Sequence, residues 1–236
     1  MTIRLSRLLL VGLLLLTPLG LAACAADAPK SPLGCSASST PCLNGPALVS
    51  LKTSRGDVQL EISGDAAPLT AGNFVDLVRR GAYDNTVFHR VVNEPTPFVV
   101  QGGDPQSADP KVPVTAYGTG SFVDPATDQP RLIPLELGVK GEAEPRYGTE
   151  LVNPAETAKL ALRHDRGALA MARSADPNSA SAQFYIALKP LPELDGRYAV
   201  FGRVVKGMEV VDQIKQGDRL IKATMLQGEA QVKDKP

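Results

Sequence analysis

The chain has 236 residues, 43% of them hydrophobic and 21% charged, a composition typical of a protein that buries a core. Its 25 basic and 25 acidic side chains cancel. Proteins that bind nucleic acid usually carry an excess of cations for the phosphates, so we expect no nucleic-acid partner.

The first 23 residues have the pattern of a secretion signal. Arg4 and Arg7 provide a positive start, and residues 8–16 form an apolar run too short to span a membrane comfortably. Residues 21–24, Leu-Ala-Ala-Cys, resemble the bacterial lipobox, at which a signal peptidase cuts before a lipid-modified cysteine. We therefore expect an extracytoplasmic protein that is lipid-anchored to a bacterial membrane through Cys24. The alternatives are a plain signal peptide or an uncleaved anchor, with Cys24 incidental.

Residues 24–46 are rich in Ala, Ser, Pro and Gly, which predicts a flexible tether. Two interpretations of Cys35 and Cys42 remain open. They form a disulfide in an oxidising compartment, or they are free thiols in the tether. The folded domain is expected to cover residues 47–236.

The elements of this domain follow in chain order. Residues 48–53 and 58–62 alternate around a turn and predict a β-hairpin. A helical pattern starts at Pro68 and stops at Gly81, and another covers residues 208–216. Residues 105–165 look loop-dominated, apart from a short helical pattern at 155–163. The remaining strand-like runs are residues 87–92, 98–101, 168–172, 184–188, 199–205 and 220–226. Many short strands with two good helices predict a barrel or sandwich with helices at its ends.

Several common chemistries lack their residues in this chain. There is no Gly-x-Ser-x-Gly elbow, no Cys or His pair at metal-ligand spacing and no phosphate-binding glycine loop. We therefore expect no metal and no cofactor. The two histidines are far apart in sequence. We assign His89 to structure and His164 to a solvated loop.

Three blocks concentrate unusual combinations of residues. They are FHRVV at 88–92, FVVQGGDP at 98–105, and SAQFYI with LDGRYAVFG between 181 and 202. With these blocks, residues 47–226 resemble the cyclophilin family. The resemblance implies a mostly β fold, a closed eight-stranded antiparallel β-barrel capped by two α-helices, with a proline-binding groove on its outer face. It also marks an insertion near residues 136–166.

The resemblance implies a peptidyl-prolyl cis-trans isomerase with Arg90 and Gln101 as its catalytic residues. Four positions depart from the commoner family residues: Glu193 replaces a tryptophan, Tyr198 a histidine, Tyr185 a phenylalanine and Val99 a methionine. The substrate-binding residues implied in the same way are Phe98, Val99, Ala172, Arg173, Gln183, Tyr185, Leu194 and Tyr198.

The expected activity is rotation about Xaa-Pro bonds of exported proteins, with Arg90 stabilising the twisted prolyl nitrogen beside an apolar pocket. The partners are then proline-containing polypeptides, and we expect a monomer. The alternative is a non-catalytic module or chaperone that holds proline-containing segments. Retention of Arg90, Phe98 and Gln101 favours the enzyme, whereas the altered rim leaves the binding module as an alternative.

Overall fold

The structure, a computed structural model, describes residues 34–233. The secretion signal, Cys24 and the first part of the expected tether lie outside the described residues. The strands are β1 (Cys42–Leu43), β2 (Pro46–Thr53), β3 (Gly56–Ser63), β4 (Thr86–Val87), β5 (Arg90–Val92), β6 (Val99–Gly102), β7 (Val123–Asp124), β8 (Gln129–Pro130), β9 (Glu136–Leu137), β10 (Arg146–Tyr147), β11 (Ala168–Met171), β12 (Phe184–Ala187), β13 (Val200–Lys206), β14 (Arg219–Gln227) and β15 (Val232–Lys233). The α-helices are α1 (Pro68–Arg79), α2 (Pro154–Thr157) and α3 (Met208–Val211), and short 3₁₀ helices cover Pro105–Ala108, Val114–Ala116, Pro192–Leu194 and Glu229–Gln231.

One nine-stranded antiparallel sheet dominates the fold, in the order β4-β14-β2-β3-β13-β11-β12-β6-β5. The predicted hairpin forms its β2–β3 pair, in register from Pro46 opposite Ser63 to Thr53 opposite Gly56. Alternate residues of both strands, such as Leu51 and Leu60, are fully buried, as period-two patterning requires when one face of a sheet covers a core. The predicted mostly β class is confirmed.

The predicted closed eight-stranded barrel differs from the sheet observed. The sheet has nine strands, with β4 at one end of the strand order and β5 at the other. The expected strand over residues 87–92 is divided because its hydrogen-bond partner changes. Phe88 exchanges backbone hydrogen bonds with Gly217 and Asp218, whereas Arg90 lies opposite Gln101 in β6.

Helix α1 packs against the inner face of the sheet. Phe74 is fully buried, and its ring centroid lies 5.2 Å from that of Phe201 in β13. Pro68 occupies the first turn, where its missing N–H costs nothing. Helix α1 therefore begins where the sequence pattern predicts.

The N-terminus of α1 is capped by a distant carboxylate. Glu136, 1% exposed, accepts hydrogen bonds from the backbone N–H groups of Leu69 at 3.0 Å and Thr70 at 2.7 Å. The Tyr147 hydroxyl donates a third at 2.8 Å. Burial raises the pKa of Glu136, and these donors oppose the shift. The segment predicted as an insertion, 136–166, therefore contributes a structural cap to the domain.

The other two predicted helices are shorter than expected. The pattern over residues 208–216 gives a helix only over Met208–Val211, followed by turns. Val211 and Ile214 are both buried, and the backbone N–H of Ile214 bonds to Val211 O, so one turn satisfies the apolar spacing. The pattern over 155–163 gives α2, which Asn153 caps through the backbone N–H of Ala155.

The expected flexible tether is wrong for residues 34–46. Cys35 and Cys42 form a disulfide, so the interpretation as free thiols is excluded. Strand β1 pairs antiparallel with β15, and Leu43 is fully buried. A Cβ on Gly72 of α1 would clash with the Cα of Cys42, which shows how closely this segment packs on the helix. Apolar contact and backbone pairing make it part of the domain.

Between residues 34 and 233, none of the helices is both long and apolar enough to span a bilayer. Within the same range, no group of three His, Cys, Asp or Glu side chains is arranged to hold a metal ion.

Candidate functional site

Four residues form a row across neighbouring strands of the main sheet. Arg90 in β5 lies opposite Gln101 in β6, Gln101 lies opposite Tyr185 in β12, and Tyr185 lies opposite Ala170 in β11. Residues directly opposite each other project from the same face of a sheet. The strand register therefore brings together side chains that are up to 95 residues apart in sequence.

The outer face of these strands carries a hydrophobic cluster of its own. Val99, Tyr185 and Ala187 belong to this outer cluster, while Val100 and Phe184 belong to the main core. Successive side chains of a strand point to opposite faces. Strands β6 and β12 are thus apolar on both faces because one face covers the core and the other forms a surface cavity.

A cavity of about 340 Å³ opens on this outer face. Nine of the ten residues that the sequence predicts for the catalytic and substrate-binding set contribute to it, and Gln183 is the exception. The lining residues are Arg90, Phe98, Val99, Gln101, Ala172, Arg173, Tyr185, Leu194 and Tyr198. Pockets that bind small groups are typically apolar with a few polar groups at defined positions, as here.

Arg90 lies at the cavity with its guanidinium exposed to solvent. The carbon at its centre is 5.7 Å from the centroid of the Phe98 ring, within cation–π range. The Arg90 Nη1 donates to Gln101 Oε1 over 3.4 Å, a long hydrogen bond. The guanidinium is therefore oriented by Phe98 and Gln101 but not saturated by them.

Gln183 supports this arrangement from beside the cavity. Gln101 Nε2 donates to Gln183 Oε1 at 3.3 Å, and Gln183 Nε2 donates to the carbonyl of Gly120 at 2.8 Å. The chain of amides fixes which end of Gln101 faces Arg90. Gln183 therefore contacts the predicted site residues without lining the cavity.

Arg173 differs from Arg90 because its guanidinium N–H groups already donate hydrogen bonds to other residues of the protein. Its side chain is 5% exposed and donates to Glu150, to the carbonyl of Arg197 at 2.7 Å and to that of Ser174 at 2.9 Å. Its guanidinium also lies 4.9 Å from the Tyr198 ring centroid. Arg173 therefore forms a wall of the cavity. The sequence reasoning missed Glu150 because it lies in the segment that was interpreted as an insertion.

The prediction of a solvated loop for His164 is wrong. Its side chain is 1% exposed, with Nδ1 2.8 Å from Asp195 Oδ1 and Nε2 2.9 Å from the hydroxyl of Tyr185. Burial lowers the pKa of His164, and the hydrogen bond with Asp195 opposes the shift. One sequence signal pointed to this contact. A tyrosine at an apolar pocket position carries a hydroxyl that needs a buried partner.

His89 does not line the cavity. It is half-buried and packs against Gly118, where an added Cβ would lie 2.8 Å from the imidazole Cδ2. Burial lowers the pKa of His89, while the nearby Asp104 carboxylate raises it. These contacts agree with the structural role expected from the sequence.

An antiparallel sheet with one long helix on its inner face and an arginine-rimmed apolar cavity on its outer face corresponds to the cyclophilin class of fold. The family model described as cyclophilin type peptidyl-prolyl cis-trans isomerase/CLD matches residues 48–233. The chain belongs to this family.

Relatives of known name support the assignment. The chain is 39% identical over 198 residues to a Synechocystis protein named as a thylakoid lumen peptidyl-prolyl cis-trans isomerase, covering 80% of this chain and 49% of that protein. It is 36% identical over 169 residues to the Arabidopsis thaliana peptidyl-prolyl cis-trans isomerase CYP18-2, covering 72% of this chain and 80% of that one. A Cryptococcus neoformans peptidyl-prolyl cis-trans isomerase-like 2 is 34% identical over 195 residues. The chain spans about half of the Synechocystis protein and 28% of the Cryptococcus protein.

Solved structures of cyclophilins share the fold. A cyclophilin type isomerase of Cryptosporidium parvum superposes with a TM-score of 0.55 at 24% identity, covering 77% of this chain and 98% of the other. The cyclophilin AquaCyp293 of Hirschia baltica gives a TM-score of 0.52 at 24% identity, covering 80% and 77%.

Proposed function

We propose that this protein is a peptidyl-prolyl cis-trans isomerase that accelerates rotation about Xaa-Pro bonds in exported proteins. Membership of the family supports the reaction class. The observation that carries the proposal is the exposed guanidinium of Arg90 beside the apolar cavity, between Phe98 and Gln101.

The reaction needs one charge in the right place. Delocalisation of the nitrogen lone pair gives the amide a rotational barrier of ~18–20 kcal/mol. Twisting the bond returns that lone pair to the prolyl nitrogen. A fixed cation beside the nitrogen then stabilises the twisted state more than either planar isomer, which lowers the barrier. Arg90 suits this role because a guanidinium stays protonated and its donors have fixed directions.

The second requirement is that the group on one side of the rotating bond is held in place, and the cavity meets this requirement. The proline ring is held by the apolar side chains of Phe98, Val99, Tyr185 and Leu194, while the preceding carbonyl swings and is steadied by Gln101. A 10⁵-fold acceleration needs roughly 7 kcal/mol, which charge stabilisation and orientation together supply. No covalent bond forms or breaks, so neither a nucleophile nor a cofactor takes part.

An NMR exchange assay on an Ala-Pro peptide tests this proposal and separates it from a binding module. We expect wild type to broaden the cis and trans resonances by exchange. Arg90→Ala should lower the exchange rate by about 100-fold, since one transition-state contact is typically worth that much. Arg203→Ala is the matched control, because Arg203 is an exposed arginine on β13 that pairs with Glu61 outside the cavity.

Exchange rates that are the same with and without wild-type protein, together with peptide binding, would favour the non-catalytic module. An Arg90→Ala variant as active as Arg203→Ala would instead leave an isomerase whose catalytic group is not Arg90.

We further propose that the protein acts outside the cytoplasm, as a monomer anchored by a lipid on Cys24. The Cys35–Cys42 disulfide supports an oxidising compartment, and the Synechocystis relative carries the thylakoid lumen in its name. Mass spectrometry of the mature N-terminus measures cleavage and acylation together. A mature chain that begins elsewhere, without acyl mass on Cys24, would contradict the anchor.

A further inference from the structure

The proposed proline cavity has one wall that carries a buried polar group. Tyr185 lines the cavity, and the residue is only 5% exposed. A hydroxyl in such an apolar setting destabilises the fold unless it finds a hydrogen-bond partner. The Tyr185 hydroxyl has one, the Nε2 of His164 at 2.9 Å.

The direction of each hydrogen bond follows from the carboxylate at the other end. Asp195 Oδ1 lies 2.8 Å from His164 Nδ1 and also accepts from the backbone N–H of His164 at 2.9 Å. An ionised carboxylate only accepts, so Nδ1 carries the proton of the neutral imidazole. Nε2 is then an acceptor, and the Tyr185 hydroxyl donates to it. The network is a directed chain from Tyr185 through His164 to Asp195.

This chain connects two separate walls of the cavity. Tyr185 belongs to β12, whereas Asp195 directly follows Leu194, a lining residue on the opposite side of the network. The imidazole also stacks on the Tyr185 ring, with centroids 6.0 Å apart and planes tilted by 13°. His164 therefore fixes the Tyr185 ring and the Leu194–Asp195 turn relative to each other.

We propose that His164 is a positioning residue for the isomerase reaction, acting through Tyr185 and Asp195 to hold the two sides of the proline cavity at their working separation. The inference rests on the proposed function, because it assigns the cavity to the proline ring. Small displacements of a positioning group are enough to slow a reaction that depends on orientation.

A double-variant cycle tests the coupling through kcat/KM. His164→Phe keeps an aromatic ring but removes both hydrogen bonds that join Tyr185 to Asp195, and we expect about a tenfold loss. Tyr185→Phe should lower kcat/KM by about threefold, since it leaves only the imidazole Nε2 unpaired. Because His164→Phe already breaks the chain, the combined variant should lose no more activity than His164→Phe alone, about tenfold and not the roughly thirtyfold of two independent effects. Losses that simply multiply in the combined variant would overturn the proposal.

A second variant and a spectroscopic readout guard against a general loss of stability. His164→Gln presents an amide oxygen to Tyr185 and should lose less activity than His164→Phe, with each variant assayed well below its own melting temperature. In ¹⁵N NMR of the wild type, the His164 ring should show a proton on Nδ1, and Tyr185→Phe should shift the Nε2 resonance. A proton on Nε2 in wild type, or a resonance that Tyr185→Phe leaves unmoved, would refute the network.

The two proposals fail in different ways. If Arg90→Ala kept full activity, the assignment of the catalytic site would fall while the tautomer signature of His164 persisted. If the signature were absent, or the losses of the two single variants multiplied in the combined variant, while Arg90→Ala was inactive, only the positioning role would fall.

Discussion

Arg90 and Arg173 both border one cavity and yet have opposite electrostatic roles. The Arg90 guanidinium is solvent-exposed with one long hydrogen bond, whereas Arg173 is buried against Glu150 and backbone carbonyls. A cation that is already neutralised and saturated has little charge left to offer a substrate. The environment of each guanidinium, and not its residue type, separates the proposed catalytic group from the structural one.

This difference gives a prediction for Glu150. Glu150→Gln removes the charge partner of a nearly buried guanidinium, so the free energy of unfolding should fall by about 1–2 kcal/mol. The loss of isomerase activity should be smaller than that of Arg90→Ala. Chemical denaturation measures the first quantity and the peptide exchange assay the second.

Glu142→Gln is the control for Glu150→Gln. Glu142 lies in the same segment and pairs with Arg146, but both side chains are more than a third exposed, so its loss should change stability by less than about 0.5 kcal/mol. Equal destabilisation by the two substitutions would show that the Arg173 contact is no stronger than a surface ion pair.

The rim residue Glu193 leads to a prediction about an inhibitor. Glu193 is exposed beside Leu194, at the position where many family members carry a tryptophan. We expect weak cyclosporin binding by the wild type and at least about tenfold tighter binding by Glu193→Trp, because an aromatic ring adds apolar contact at the rim. Calorimetry measures both, and a nanomolar dissociation constant for the wild type would contradict the expectation.

At the scale of elements, helix α1 depends on a carboxylate that comes from another part of the chain. Its N-cap residue, Ala67, makes no side-chain hydrogen bond, and Glu136 takes that place. Local sequence signals place the start of α1 correctly but say nothing about its cap, because the cap is 67 residues away from Leu69 along the chain.

Replacing this cap should destabilise the domain. Glu136→Ala leaves two buried backbone N–H groups and the Tyr147 hydroxyl without an acceptor, so we expect the free energy of unfolding to fall by about 2–3 kcal/mol. Glu144→Ala removes an exposed carboxylate from the same segment and should have little effect. Urea denaturation compares the two, and similar midpoints would rule out a capping role for Glu136.

The elements that differ from prediction share one physical cause. Residues 87–92 and 208–216 both have convincing local patterns, but their backbone partners change partway along. Phe88 bonds to the loop after α3, and Ile214 is buried by a turn. Local periodicity reports which side chains are buried, whereas the length of an element depends on its partners in the fold.

At the scale of the whole molecule, acid should weaken the fold through its neutral histidines. Burial lowers the pKa of both His164 and His89, so below about pH 6.5 the unfolded chain binds protons that the folded chain does not. The contribution of these residues to stability is complete above that pH and declines as the pH falls. Glu136 acts in the opposite direction. Because its pKa is raised in the folded chain, the folded chain binds a proton at a higher pH than the unfolded chain does, and this uptake opposes the loss of stability in acid.

The combined His164→Phe and Tyr185→Phe variant isolates one of these contributions. Between pH 7.5 and 5.5, its free energy of unfolding should fall less steeply than that of the wild type, as measured by urea denaturation at each pH. Parallel slopes would mean that His164 titrates alike in the folded and unfolded chains.

Much of the cavity was predictable because its residues lie in three recognisable blocks, and strand register brings the blocks together. The residues that support the cavity and helix α1 were not predictable. His164, Glu150 and Glu136 all lie in the segment 136–166, for which the family resemblance offered no counterpart. Each acts on a partner that only the folded chain brings near, respectively Tyr185, Arg173 and the start of α1.

The packed N-terminal turn has a consequence for where the enzyme works, if Cys24 carries the lipid. Because ordered structure is present from residue 34, only ten residue steps separate Cys24 from the domain, and a chain of that length spans at most about 35 Å. A leash running to residue 46 would have allowed roughly twice that distance. On that condition the domain would stay within a few tens of ångströms of the bilayer, and substrates far from the membrane would lie beyond its reach.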